Sequence, residues 1–220
     1  MKNAQLIILV WLFLLGCKNT EQTKPQAPNI IYILADDLGY GELGVYGQEK
    51  IKTPNLDRLA AGGMRFTQHY SGAPACAPSR HMFLTGMHAG HAYIRGNYGL
   101  GQYEDENEGG QMPIPKSTPT LAKMLKKSGY QTAMVGKWGL GMNDTDGSPL
   151  LQGFDYYYGY LDQKQAHNYY PTHLWENDVA VQLNNDYFLV HSPIKEGSDL
   201  KAFDQFKGDD YAPDKMIAKA

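Results

Sequence analysis

The hydrophobic pattern alternates between runs that read as buried strands and segments that read as amphipathic helices. Asn29-Ile30-Ile31-Tyr32-Ile33-Leu34-Ala35 is almost continuously apolar and rich in β-branched residues, as expected of a strand covered on both faces in a parallel sheet. It ends abruptly at Asp36-Asp37. Thr53-Pro54 opens a segment with Leu56, Leu59 and Ala60 on one helical face, and Gly62-Gly63 closes it. A capping residue, a proline in the first turn and a glycine stop together predict a helix. The same grammar returns at Thr118-Pro119, with Leu121, Met124 and Leu125 ahead of Gly129. A strand-like 131–135 segment follows, with Lys137 just beyond it. Residues 64–70 read as a further strand leading into the loop that carries Cys76, then a short helix from Ser79 to Thr85 stopped by Gly86. Residues 174–183, turning about Glu176-Asn177-Asp178, suggest a small hairpin, and residues 212–220 a helix with proline in its first turn. Strand, helix, strand, helix predicts an α/β fold in which helices flank a mostly parallel central sheet.

In such sheets ligands collect where the carboxyl ends of parallel strands and their loops converge. Asp36, Asp37, Cys76 and Lys137 all fall just after expected strands, so four chemically capable residues are candidates for one shared edge. Each has a duller reading. Adjacent aspartates after a strand often begin a turn or cap a helix, and a free cysteine is most often a small hydrophobe. Crowded carboxylates repel one another, however, and a hard cation such as Ca²⁺ or Mg²⁺ relieves that repulsion through oxygen ligands. Pro74, Pro78 and Ser79 describe an irregular loop entering a helix, where backbone amides and the dipole favour an anion. Arg80, in the first turn, is poorly placed for that dipole and is better understood facing a negative ligand.

Composition limits what these residues mean. With 220 residues, 42% of them hydrophobic, the chain can bury a sizeable core, and one domain or part of one is expected. A net charge of -3 with no basic stripe argues against nucleic acid and anionic membrane surfaces as partners. At the amino terminus Lys2 precedes an apolar run from Leu6 to Leu15, well short of the roughly 20 residues that span a bilayer but suited to a signal-peptide core. The run ends in Leu14-Leu15-Gly16-Cys17, which resembles the lipobox of bacterial lipoproteins, where the cysteine is acylated. Residues 1–17 are therefore expected to be a lipoprotein signal peptide, 18–28 a polar tether with Pro25 and Pro28, and 29–220 the folded domain. Cys17 would anchor the protein to a bacterial cell envelope, in the periplasm or at the outer membrane, and that anchor would be its membrane contact. Cys76 is then left without an intrachain partner and is free or chemically modified.

Cys76-Ala77-Pro78-Ser79-Arg80, continued by Leu84-Thr85-Gly86, resembles the signature of the type I sulfatases, Cys-x-Pro-Ser-Arg-x-x-x-Leu-Thr-Gly. Supporting segments stand in the family's order: Pro28-Asn29-Ile30 through Asp36-Asp37, Thr53-Pro54-Asn55-Leu56-Asp57, Gly136-Lys137-Trp138 and Gln152-Gly153-Phe154-Asp155. The resemblance covers essentially everything after the tether and implies the alkaline phosphatase-like fold. It also implies that a maturation enzyme oxidises Cys76 to formylglycine, whose hydrated aldehyde attacks sulfur, displaces the alcohol and then expels sulfate. By the same analogy Asp36 and Asp37 bind Ca²⁺ together with residue 76, Arg80 stabilises the hydrate, and Lys137 contacts the sulfate or leaving-group oxygen.

Two departures from the family pattern stand out. Many members carry histidine in the segment that reads "GKWGLG" here, where this chain has Gly139. His167, in "QAHNYYP", is the candidate substitute for contact with the substrate. The family's remaining metal ligands, an Asp-Asn pair, together with another histidine and lysine, come from a later region, so the domain is expected to be incomplete at its carboxyl end. Residues 154–175 hold six tyrosines, Phe154 and Trp175, either sugar-stacking surfaces or packing against the sheet, and Glu104 to Gly110 reads as a solvated loop. The expected function is hydrolysis of an aryl or carbohydrate sulfate ester. A phosphoester hydrolase of the same superfamily and a noncatalytic lipoprotein that binds sulfated glycans are the alternatives.

Overall fold

The structure is a computed structural model that describes residues 27–103 and 105–220. The expected signal segment, Cys17, most of the tether and Glu104 lie outside the described residues. The chain divides after Ala35 into two units. In the first, residues 27–35 form no strand and are exposed, Ile31 at 86%. The strand expected over Asn29–Ala35 is therefore not formed. β-branched composition favours extended backbone, but a strand also needs a hydrogen-bonded neighbour, and none of the four described strands pairs with this run.

The second unit, Asp36–Ala220, opens with two 3-10 turns, Tyr40–Glu42 and Gly44–Tyr46, and helix α1, Pro54–Ala61. Pro54 and Gly62 mark the ends of α1 as expected, but Thr53 does not cap it. The Thr53 hydroxyl accepts from the Gly44 amide at 2.9 Å and donates to Asp57 at 3.1 Å, while Asp57 accepts from the Val45 amide at 2.7 Å. These bonds tie the start of the helix to the turn before it. The strand expected over 64–70 is also absent. Met64, Phe66 and Tyr70 are exposed, and the Phe66 carbonyl accepts from the Tyr46 hydroxyl at 2.8 Å, so no ladder and no buried face hold this segment extended.

Helix α2 runs Cys76–Thr85, three residues longer at its start than expected, and ends at Gly86 in the left-handed conformation (φ 68°) that glycine adopts without strain. Helix α3, Leu121–Lys127, is capped by Thr120 instead of Thr118: the Thr120 hydroxyl accepts from the Lys123 amide at 3.3 Å. Strand β1, Ala133–Lys137, includes Lys137 as its last residue. Strands β2 (Tyr156–Tyr160), β3 (His173–Glu176) and β4 (Val179–Gln182) follow, and α4 (Ala212–Lys219) closes the described chain. The strand order is β1-β2-β3-β4, with β1 and β2 parallel and the other pairings antiparallel. The α/β class stands, but the described sheet is mixed where a mostly parallel one was expected. The β3–β4 pairing is the expected hairpin: Asn177-Asp178 is a two-residue turn, with Asn177 at φ 56°, and so short a turn can only return the chain antiparallel.

β2 is an inner strand of the described sheet and the centre of its packing. Tyr157 packs with Ile94, Ile114, Trp138, Leu140 and Leu161 on one side of the sheet, while Tyr158 and Tyr160 pack with Leu174 and Ala212 on the other. Alternate side chains thus bury both faces of the strand. Part of the aromatic cluster in 154–175 is therefore sheet core. Gly159 pairs with Gly136 across the parallel ladder, where a Cβ on Gly159 would lie 2.0 Å from the Gly136 carbonyl oxygen. Glycine is required there because the backbones touch. The loop expected to be solvated before Gly110 is pinned at its end: Glu108 is 6% exposed, and its carboxylate accepts from the Trp175 indole at 2.6 Å and lies 3.0 Å from His173 Nε2. Truncating the fully buried Leu174 to alanine is expected to destabilise the fold by about 2–5 kcal/mol, read as a lower urea midpoint at unchanged slope.

Candidate active site

Helix periodicity starts the construction of the site. Cys76 is the first residue of α2 and Arg80 stands four residues later, so both project from one face, about one turn apart. The Ala77 amide, one of the donors a helix start leaves unpaired, donates to Asn97 Oδ1 at 2.9 Å, and Ser79 closes the first turn on the Ala75 carbonyl at 3.0 Å. Asn97 thereby fixes the end of the helix that carries Cys76. Sequence reasoning gave no sign of it, since a lone asparagine in "RGNYG" has no motif.

The Arg80 guanidinium joins two other elements. It donates to Asp36 Oδ1 at 2.9 Å and to the Lys137 carbonyl at 2.6 Å. Lys137 Nζ completes a triangle by donating to Asp36 Oδ2 at 2.9 Å. The Arg80 and Lys137 side chains are almost wholly buried, at 9% and 7% exposure, whereas that of Asp36 is 42% exposed. Burial pushes the Asp36 carboxyl up, but hydrogen bonds and charge from Lys137 and Arg80 outweigh it and hold the group below the usual carboxylate range. Asp37 follows at φ 55°, a left-handed conformation that short polar side chains tolerate, and its Oδ1 lies 4.0 Å from Cys76 Sγ. Ligand atoms of Asp36, Asp37 and Cys76 all fall within 4.8 Å of one another. The residues singled out from sequence, Asp36, Asp37, Cys76, Arg80 and Lys137, therefore do converge.

His167 ends a 3-10 turn, Gln165–His167, and its Nδ1 lies 2.9 Å from His191 Nε2. Partial burial lowers its pKa first, and Lys137 and His191 lower it further, against an opposing pull from Asp36 and Asp37.

The chain matches the sulfatase family model over residues 28–215. It belongs to the sulfatase family. Human arylsulfatase D is 42% identical over 160 residues, which cover 69% of this chain and 26% of that protein. A Bacteroides thetaiotaomicron protein, solved in work on the metabolism of multiple glycosaminoglycans, superposes with a TM-score of 0.59 at 36% identity, over 73% of this chain and 33% of its own. A protein solved with its substrate D-glucosamine-2-N,6-O-disulfate gives 0.54 at 31% identity, over 72% and 28%. The fold is thus the alkaline phosphatase-like sulfatase fold. The chain spans about a quarter to a third of the length of the relatives it matches.

Within this sulfatase chain, Gly139 has a physical explanation. It sits at φ 74°, and a Cβ there would lie 1.7 Å from Gln163 Nε2. Gln163 is 5% exposed and donates to the Gly139 carbonyl at 3.3 Å, while its Oε1 has no hydrogen-bond partner among the described residues. A histidine at this position and Gln163 in this rotamer exclude each other. Gly139→His is expected to cost about 1–3 kcal/mol in chemical denaturation, since the new side chain must displace a packed one from an unfavourable backbone geometry.

Asp36 sets a pH dependence of known sign. Its pKa is depressed on folding, so its contribution to stability is present above the unfolded value near 3.8 and is lost as pH falls through the lower folded value. Urea titrations of the wild type and Asp36→Asn should therefore differ most near neutrality and converge in acid.

Proposed function

We propose that this chain forms part of a sulfuric ester hydrolase that removes sulfate from an aryl or carbohydrate sulfate ester. The observation that carries this reading is the meeting of Cys76, Asp36, Asp37, Arg80 and Lys137 in one cluster of a chain that belongs to the sulfatase family. Two carboxylates and two cations cancel in charge, so the cluster alone gives an anionic ester little net attraction. A divalent ion beside Asp36 and Asp37 supplies it.

The donor set bears on which ion. Ca²⁺ and Mg²⁺ take oxygen ligands, and a thiol suits neither. Oxidation of Cys76 to formylglycine by a separate maturation enzyme replaces sulfur with oxygen and makes the set wholly oxygen. Ca²⁺ is the better match, because it tolerates irregular coordination that Mg²⁺ does not. Asp36, Asp37 and residue 76 would hold the ion, which would supply charge to offset that developing on the ester, and the hydrated aldehyde would supply one hydroxyl to attack sulfur and a second whose ionisation would free the sulfate.

The chain's own groups do the rest. Arg80 Nε is buried without a hydrogen-bond partner among the described residues and remains available as a donor toward residue 76 and the ester, while the other ends of the guanidinium stay fixed. Lys137 spends one hydrogen bond on Asp36 and directs its remaining ammonium protons at sulfate or the leaving oxygen. His167 is the candidate for contact with the alcohol side of the substrate. The sulfated sugar bound by one structural relative favours a sulfated carbohydrate as the substrate class. The proposed organisation is a signal peptide over 1–17, an acylated Cys17, a tether over 18–28 and a catalytic region from 29 onward, with the protein held at the bacterial envelope by its lipid.

A second reading, a noncatalytic receptor for sulfated glycans, is favoured by one observation, the filling of the Gly139 position by Gln163. Two measurements decide between them. Mass spectrometry of the peptide containing residue 76, from cells that carry the maturation enzyme, should show an aldehyde, and the protein should release sulfate. Cys76→Ala should lower that release at least about a thousandfold, and chelation should abolish it until Ca²⁺ is restored. A thiol at residue 76 with glycan binding but no release would establish the receptor instead.

A further inference from the structure

The ring pair of His167 and His191 joins two separately braced segments. On one side, Asp162 Oδ1 accepts from the Lys164 amide at 2.6 Å and the Gln165 amide at 3.2 Å, fixing the start of the turn that ends in His167. The next residue, Asn168, is buried, and its carbonyl accepts from the Tyr160 hydroxyl at 2.6 Å. On the other side, the buried Asn107 clips the segment before His191 at two points. Its Nδ2 donates to the Phe188 carbonyl at 2.7 Å, and its Oδ1 accepts from the Val190 amide at 3.1 Å. The Ser192 amide then closes a turn on the Leu189 carbonyl at 3.1 Å. His191 therefore sits on a fixed turn, with its ring centroid 5.1 Å from that of His167.

The contact of 2.9 Å between the rings has room for one hydrogen. The two imidazoles cannot both be cations, because each would then bring a proton to the same line. The pair holds at most one excess proton. With His167 Nδ1 committed to His191, Nε2 is the ring nitrogen of His167 without a hydrogen-bond partner among the described residues. Lys137 ends β1 opposite Tyr160 in the parallel ladder, and the Tyr160 hydroxyl holds the residue after His167, so the ring lies beyond the carboxyl ends of the same two strands as the Lys137–Asp36 contact. Lys137, Asp36, Asp37 and His191 are the charged groups that act on it.

We propose that His191 is a positioning residue: held by Asn107, it fixes the tautomer and orientation of His167, so that Nε2 of His167 serves as the acid for the ester oxygen that Gly139 cannot reach. This rests on the sulfate-ester reading above. The proton balance is simple. The singly charged pair gives the Nε2 proton of His167 to the ester oxygen as the sulfur–oxygen bond breaks. The bridging proton stays between the rings, the pair becomes neutral, and water returns the missing proton before the next cycle.

The experiment uses this protein at full family length, matured at residue 76, and a series of aryl sulfates whose phenols differ in acidity. An acid matters most where the leaving oxygen is most basic, and general acid catalysis contributes about 10²–10⁴-fold. His191→Ala should therefore lower kcat at least about tenfold for the least acidic phenol and less than about threefold for the most acidic. Asn107→Ala should tilt the series in the same direction by less. Nitrogen-15 spectra of the histidine rings should show the His167 tautomer changing in His191→Ala. An equal loss across the series, or a tautomer indifferent to His191, overturns the assignment. A wild-type chain that releases sulfate from none of the esters overturns the hydrolase reading instead, and the tautomer measurement alone then decides the role of His191.

Discussion

One carboxylate holds the chemistry of this molecule together. Asp36 gives one oxygen to Arg80 on α2 and the other to Lys137 at the end of β1, and Arg80 returns a bond to the Lys137 carbonyl. A loop, a helix and a strand far apart in sequence are thus locked by three contacts. The two cations are nearly buried, and a buried cation without a counter-charge is strongly unfavourable, so neither could occupy its place if Asp36 were elsewhere. Because Cys76 lies one helical turn from Arg80, fixing the arginine also fixes the cysteine. The triangle therefore sets the position of residue 76 relative to Asp37, the chain neighbour of Asp36.

The scaffold behind that triangle is β2. A strand buried on both faces is a good reference against which to position a site, because neither face can slide without opening a cavity. β1 inherits that rigidity through the close approach of Gly136 and Gly159, and Lys137 is the next residue. Trp138, wholly buried, then donates its indole proton to the Gly147 carbonyl at 2.8 Å. Lys137 is therefore placed between a backbone contact behind it and a packed indole ahead of it. That explains how a long, flexible side chain comes to rest in one position.

Much of the site was legible in the sequence because it is written in local grammar. A fixed spacing on a helix brings Cys76 and Arg80 to one face, and glycine stops end α1 and α2 where they were expected. What could not be read depends on partners remote in the chain. Asn29–Ala35 has strand composition but forms no ladder among the described residues, whereas Tyr156–Tyr160 reads only as part of an aromatic cluster and is the most buried strand of the sheet. Tyrosine hides burial, because its hydroxyl reads as polar until a partner such as the Asn168 carbonyl is found for it. Glu108 is the same lesson in reverse. It lies in an acidic run that reads as solvated, and becomes interior only through Trp175 and His173, both more than sixty residues away.

Gly139 ties the chemistry to the choice of substrate. A phenol that is already acidic leaves as a stable anion, so a site with metal, guanidinium and ammonium needs no further proton donor to release it. A sugar hydroxyl is a far poorer leaving group, and its departure calls for a proton at the bridging oxygen. With Gly139 at this point and Gln163 occupying the space, the chain has no such donor there. A sulfated carbohydrate as substrate therefore requires an acid from elsewhere, and among the described residues the His167 and His191 pair offers ring nitrogens with the right chemistry. On the role proposed for that pair, substrate class and proton source are coupled: acceptance of poor leaving groups and dependence on His167 and His191 rise or fall together.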